Sequence, residues 1–164
     1  MIVLETPLID ASVITVDKYE DDRGFFMESF NEEKFLKEIG SYKFVQDNHS
    51  KSSKGVLRGL HYQLEKPQGK LMRCTQGAVY DVIVDLRKSS ETFGLWFDVT
   101  LDNPETIMWV PPGFAHGFYT LTDTAEFEYK CTDYYHPKSM KTLMLNDIDL
   151  GIIWPFRAFP TLSE

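Results

Sequence analysis

The side chains best suited to chemistry gather in QDNHSKSSKGVLRGLHYQ, from Gln46 to Gln63. Within it Arg58 and His61 stand among Val56, Leu57, Leu60 and Tyr62. A guanidinium and a titratable imidazole in apolar company require partners or a task. Upstream, Gln46, Asn48, Ser50 and Ser52 alternate. On a strand such residues share one face, and a continuous polar face suits water or a polar ligand. Lys70 follows across the short connection LEKPQG, and a hairpin there would bring it beside His61. An ammonium next to an imidazole disfavours its protonation, leaving the neutral form that a general base needs near pH 7. The alternative for His61 is a core histidine bonded to a backbone carbonyl.

Three further clusters carry reactive groups. In WVPPGFAHGF two prolines and Gly113 form a rigid turn, and His116 and Phe118 share one face of the strand that follows. His116 is either a surface histidine on that turn or a neighbour of His61 inside a shared interior. EFEYKCTDYYHP offers Tyr129, Tyr134 and Tyr135, whose hydroxyls could act as acid or orienting donor, although aromatics more often fill cores. DDRGFF followed by Glu28 reads as a hairpin turn, with the planar fork of Arg23 suited to phosphate oxygens. For a metal the ligands are poor. Gln63 stands where the second histidine of an HxH pair would be, and PPGFAH adds only His116.

The elements that must position these groups are mostly strands. β-branched and aromatic residues are punctuated by Gly, Pro, Asp and Asn at short intervals, which predicts an all-β sandwich or barrel. The expected strands are 2–8, 13–19, 24–30, 44–52, 56–63, 70–74, 78–86, 95–101, 106–110, 117–121 and 125–132. One peripheral helix begins at an Asn31 N-cap with Glu32 and Glu33 in its first turn. It buries Phe35, Leu36 and Ile39 and stops at Gly40. A second short turn of helix is expected near Asp147–Leu150. With 164 residues, 43% of them hydrophobic, and no linker or repeat, residues 1–164 read as a single domain with a real core. A net charge of −8 disfavours nucleic acid, whose binding needs Lys and Arg against phosphates. MIVLETPLID lacks the basic flank and apolar core of a signal peptide, and no run approaches membrane-spanning length. Cys74 and Cys131 form no CxxC pair and read as reduced, partly buried thiols, so a cytoplasmic protein with no membrane contact is expected.

The motifs DDRGFFMESF, QDNHSKSSKGVLRGLHYQ, QGKLMRC, YDVIVDLRKSSETFG, VPPGFAHGF and NDIDLGIIWP run in order from about Leu4 to Pro155. Together they resemble the nucleotide-sugar 3,5-epimerases of the cupin superfamily, the dTDP-4-dehydrorhamnose 3,5-epimerase family. The resemblance implies a cupin-type jelly-roll β barrel and a homodimer, with no metal and no cofactor. It implies a nucleotide-diphosphate sugar as ligand, dTDP-linked, whose C4 ketone acidifies the protons at C3 and C5. By this resemblance His61 is the general base, Tyr129 the acid on the opposite ring face, and Lys70 the cation at the C4 oxygen. Arg58 and His116 match substrate-pocket residues, and Gln46, Asp47 and Asn48 match nucleotide-sugar contacts. Arg23 and Glu28 match residues that reach the nucleotide of the neighbouring subunit. In the family a Ser-x-Lys-Asp tail supplies the carboxylate that orients the histidine. This sequence ends at Glu164, just short of it, so His61 loses that partner unless another carboxylate, with Asp81 the candidate, substitutes. Met140 replaces a family Glu at the nucleotide, which keeps CDP- or GDP-linked sugars open. One-centre epimerisation at C3 or C5 is the first alternative activity, and a catalytically impaired sugar-nucleotide binder the second.

Overall fold

Alternation of side chains along the strands sets the architecture. The computed structural model describes residues 1–156 and 158–162. Its strands are β1 (Ile2–Glu5), β2 (Ser12–Thr15), β3 (Lys18–Asp21), β4 (Gly24–Met27), β5 (Gln46–Ser53), β6 (Leu57–Gln63), β7 (Lys70–Gln76), β8 (Val79–Asp85), β9 (Trp96–Leu101), β10 (Thr106–Val110), β11 (Phe114–Thr120), β12 (Thr124–Cys131) and β13 (Met140–Thr142). They form a six-stranded sheet in the order β1-β2-β10-β7-β12-β5, a five-stranded sheet β13-β6-β11-β8-β9, and a separate β3-β4 hairpin. The named strand pairs in all three are antiparallel. Inner residues of the two large sheets meet in one core. Met72, Met108 and Phe127 come from the first sheet, and Ile83, Phe114 and Phe118 from the second.

Each outer face has its own cover. Ile14, Leu71, Ile107 and Trp109 lie under Phe35, Tyr42 and Phe44, with Phe35 edge-on to Trp109 at 5.1 Å between centroids. Phe35 belongs to α1 (Glu32–Glu38), where Asn31 Oδ1 accepts from the Lys34 N–H at 3.1 Å, as an N-cap should. Leu36, expected to be buried, is exposed. Phe35 and Ile39 share a face at i, i+4 spacing, and Leu36 lies a third of a turn away from it. On the other side Leu60, Val82, Val84 and Ala115 are covered by Leu150, Ile152 and Trp154.

Some expectations change. The strand expected over 13–19 is two, because β2 stays in the sheet while β3 leaves to pair with β4. β11 starts at Phe114, so His116 lies within a strand. The 147–150 segment is a hydrogen-bonded turn, with Gly151 N–H donating to Asp147 O at 3.0 Å. The short second helix is instead a 3-10 turn at Pro137–Ser139.

One irregularity decides where the reactive residues point. Residues three apart on a regular strand face opposite ways. On β6, however, His61 pairs with His116 and Arg58 with Phe118, so Gly59 and Leu60 together oppose Gly117 alone. This bulge turns both Arg58 and His61 inward and sends Leu60 to the outer face. The backbones touch there. A Cβ on Gly59 would stand 2.4 Å from Gly117 Cα and 2.8 Å from His116 O, at a φ of +132°. We expect Gly59→Ala to lose about 2 kcal/mol or more in urea unfolding, since it combines a positive φ with a backbone clash.

Candidate active site

A cavity of about 210 Å³ opens between the two sheets. His61 projects into it from β6, Lys70 from β7, Tyr129 from β12, and Gln46 and Asn48 from β5. Lys70 does not arrive by a hairpin. β6 pairs with β11 and β13, whereas β7 pairs with β10 and β12. The 64–69 connection therefore crosses from one sheet to the other, and Lys70 meets His61 across the cavity because both face inward. Tyr129, on the strand beside Lys70, also faces His61 from the opposing sheet.

Burial and charge set the protonation states. Burial lowers the pKa of His61 below the usual 6.5, and Lys70, His116 and Arg58 lower it further. Its imidazole is therefore neutral at pH 7. Burial also lowers Lys70, opposed by Cys131 and Asp81, and raises Tyr129, opposed by Arg58. Tyr129 keeps its proton. Among the described residues no hydrogen bond or ion pair holds the His61 ring or the Lys70 ammonium. A neutral base, a protonated phenol and an uncommitted cation suit proton abstraction next to a carbonyl, with the developing oxyanion held by the cation.

Asp81 is not the partner of His61. His116 Nε2 and Asp81 Oδ2 are 2.7 Å apart, and both residues are buried. β11 lies between β6 and β8, so His116 occupies the position next to His61 and separates it from Asp81. The His116 ring also stacks on Phe127 at 6.0 Å, which makes it part of the cavity's foundation. Arg58 Nε–H donates to Ser52 Oγ at 2.9 Å, linking β6 to β5 across the two sheets, and its exposed side chain lies outside the cavity lining. Along the polar face of β5, Gln46 Nε2–H donates to Asn48 Oδ1 at 3.0 Å, and Asn48 Nδ2–H to Cys131 Sγ at 3.4 Å.

Three expected contacts lie elsewhere. Asp47 is on the outward side of β5, paired with Lys130 at 3.0 Å, because strand alternation opposes it to Gln46 and Asn48. It borders an outer groove of about 350 Å³, where Arg73 pairs with Glu128 at 2.9 Å and the His49 ring lies 3.1 Å from a Glu126 carboxylate oxygen. Arg23 binds Asp21 on the exposed hairpin, and Glu28 binds Lys34 at 2.7 Å. Neither lines the cavity. Phe114 and Gln63 are unforeseen members of its wall, which also includes Met140, with Tyr135 at the rim. Two-residue spacing from His61 was the available signal for Gln63. Among the described residues, no three His, Cys, Asp or Glu side chains gather to hold a metal.

Comparisons with known proteins place the chain among sugar-nucleotide epimerases. The family model described as dTDP-4-dehydrorhamnose 3,5-epimerase matches residues 5–164. A dTDP-4-dehydrorhamnose 3,5-epimerase of Salmonella typhimurium is 51% identical over 166 residues, covering 99% of this chain and 91% of that protein. One from Neisseria gonorrhoeae is 50% identical over 99% of this chain, which spans half of that relative's length. A crystal structure of the Legionella pneumophila dTDP-6-deoxy-D-glucose-3,5-epimerase in complex with dTDP-4-keto-L-rhamnose superposes with a TM-score of 0.95. It is 47% identical, with 98% of this chain and 87% of that one covered.

The electrostatics are open to a direct test. In an NMR titration we expect the His61 imidazole to protonate with a midpoint below 6.5. Lys70→Ala should raise that midpoint, because a neighbouring positive charge disappears, while burial keeps it below the usual value.

Proposed function

The chain belongs to the dTDP-4-dehydrorhamnose 3,5-epimerase family and is an epimerase of that kind, and we propose that His61, Lys70 and Tyr129 divide its reaction between them. The substrate is dTDP-4-dehydro-6-deoxyglucose, whose sugar ring enters the cavity while the nucleotide leaves past Tyr135 and Met140. His61 Nε2 or Nδ1 takes the proton from the carbon beside the C4 ketone. The C–H electron pair becomes the enolate double bond, and the carbonyl pair moves to O4, where the Lys70 ammonium meets it. Tyr129 then delivers its phenolic proton to the other face of the same carbon, and O4 returns to a ketone. Solvent removes the proton from His61 and restores the one lost by Tyr129. The same sequence at the second carbon completes the 3,5-epimerisation.

The observation that carries this reading is the placement of His61 and Tyr129 on facing sheets, with the cavity between them. Inversion requires removal and return of a proton on opposite faces, and two groups on one sheet would attack the same side. The relative from Legionella pneumophila supports the ligand class through its complex with dTDP-4-keto-L-rhamnose. The whole chain, 1–164, acts as one unit, and a second copy completes it. Tyr19, Phe25 and Phe26 on the β3–β4 hairpin are 65%, 59% and 72% exposed. Docked on a neighbouring subunit, this hairpin buries that apolar surface and carries Arg23 and Glu28 to the neighbour's nucleotide. Two free, buried cysteines, Cys74 and Cys131, suit a reducing cytoplasmic compartment.

In deuterated water with dTDP-4-dehydro-6-deoxyglucose, we expect NMR to find deuterium at both C3 and C5. No uptake at either carbon overturns the reading, and uptake at one makes the enzyme a single-site epimerase. His61→Asn should lower kcat by about 10²–10⁴-fold, the range for loss of a general base. Tyr129→Phe should leave proton exchange in place but stop inversion, because only the His61 face then returns the proton. The pH profile of kcat/KM should fall on the acid side below 6.5, as His61 protonates, and on the alkaline side below 10.5, as Lys70 loses its charge.

A further inference from the structure

The segment after β12 forms the outer wall of the cavity, yet residues 134–136 belong to no strand or helix. Their backbone groups still need partners. Glutamine side chains supply them. Gln68 Nε2–H donates to Asp133 O at 2.8 Å. Gln63 Nε2–H donates to Tyr134 O at 3.2 Å, and its Oε1 accepts from the His136 N–H at 2.9 Å. Gln46 Oε1 accepts from the Tyr135 N–H between them, also at 2.9 Å. Four consecutive residues, 133 to 136, are thus held by three amides. A primary amide offers donor and acceptor together, as a peptide group does, so Gln63, which uses both, stands in for a missing neighbouring strand.

Gln63 is the centre of this arrangement. It is 8% exposed, and its Nε2 also donates to Lys66 O at 2.8 Å. Its orientation is forced, because His136 presents an N–H while Tyr134 and Lys66 present carbonyls. The far end of the segment is tied to the same strand's exit. Ser139 Oγ–H donates to Glu65 O at 2.9 Å, and Leu64 N–H to Ser139 O at 3.1 Å. Between these ties Tyr135 stands at the rim, its hydroxyl 3.6 Å from Met140 Sδ.

We propose that Gln63 and Gln68 are positioning residues, a backbone clamp that holds the Tyr135–Met140 wall ready for the part of the ligand remote from C3 and C5. This rests on the epimerase reading above. The clamp touches neither the base nor the acid, so it contributes to ground state and transition state alike. Loss of such uniform binding raises KM and leaves kcat in place. A wall fixed in advance also spares the ligand the cost of ordering it.

The test uses Gln63→Met and Gln68→Met in the full chain. Methionine is similar in length but offers the carbonyls of Lys66, Tyr134 and Asp133 no donor, and it brings no charge near Lys70. Steady-state kinetics are measured beside calorimetric titration with dTDP, which lacks the sugar. We expect Gln63→Met to raise both KM and the dTDP Kd by about tenfold, and Gln68→Met by about threefold, as the loss of several hydrogen bonds or of one implies. In both, kcat should stay within about twofold. Unchanged dTDP affinity in both variants, or a fall in kcat at constant KM, overturns the clamp. If Gln63→Met does not fold, Gln68→Met, which breaks a single bond, decides alone. If the wild-type protein itself fails to bind dTDP, the functional reading fails, and the clamp with it. Normal wild-type binding with normal variants sinks the clamp only.

Discussion

The close approach of Gly59 to Gly117 governs which face of β6 carries the base. Strand alternation would put Arg58 and His61 on opposite sides, one inside the sandwich and one under the 143–154 cover. The bulge resolves this by setting two residues against one, and only glycines allow the backbones so close. Leu60 gains from the same step, since it joins Val82, Val84 and Ala115 under the cover. Core packing on the outer face and chemistry on the inner face thus depend on one local break in the ladder. His116 on the facing strand is drawn in too, since it is the register partner of His61.

The cavity's electrostatics contrast with those of another buried charge nearby. Asp85 is fully buried and accepts from the Arg87 guanidinium, the Arg87 N–H, Ser90 and Thr92. Burial alone would raise its pKa, but these donors hold it well below the usual carboxylate range. Arg87 in turn lies over the Phe114 ring at 4.8 Å and so steadies one wall of the cavity. That is a structural ion pair, with every lone pair matched. Lys70 is the opposite case, a partly buried ammonium with no carboxylate upon it among the described residues. An interior charge left uncommitted costs stability, and such a cost at a cavity marks a functional group.

Much of this arrangement was legible in the sequence because it follows from short-range periodicity. The helix cap at Asn31, the strand 106–110 and the shared polar face of Gln46, Asn48, Ser50 and Ser52 each rest on neighbours in the chain. The failures lie where distant segments compete. LEKPQG looks like a hairpin loop, yet each flanking strand finds better partners in a different sheet, so the loop crosses the sandwich. Asp81 looked free to orient His61, but strand order inserts His116 between them. Asp47 could have been set aside from alternation alone, since a residue between Gln46 and Asn48 must face outward. Alternation puts Gln63 on the face of His61, but nothing local shows its clamping role, because its partners are backbone groups that come together only in the folded chain.

The choice of neutral amides around Lys70 has a physical reason. The chain carries 25 acidic residues against 17 Lys and Arg, yet no described residue lining the cavity is a carboxylate. A carboxylate there would pair with Lys70, raise the pKa of His61 and draw its proton, spoiling the cation and the base together. Amides, a thiol and a phenol satisfy hydrogen bonds without that penalty. Gln46, Asn48 and Cys131 form such a chain, leading from the Tyr135 backbone to Cys131, the register partner of Lys70. The acidic groups are pushed to outward faces, where Asp47, Glu126 and Glu128 meet Lys130, Lys51 and Arg73. Alternation along β5 and β12 therefore sorts charge as well as polarity.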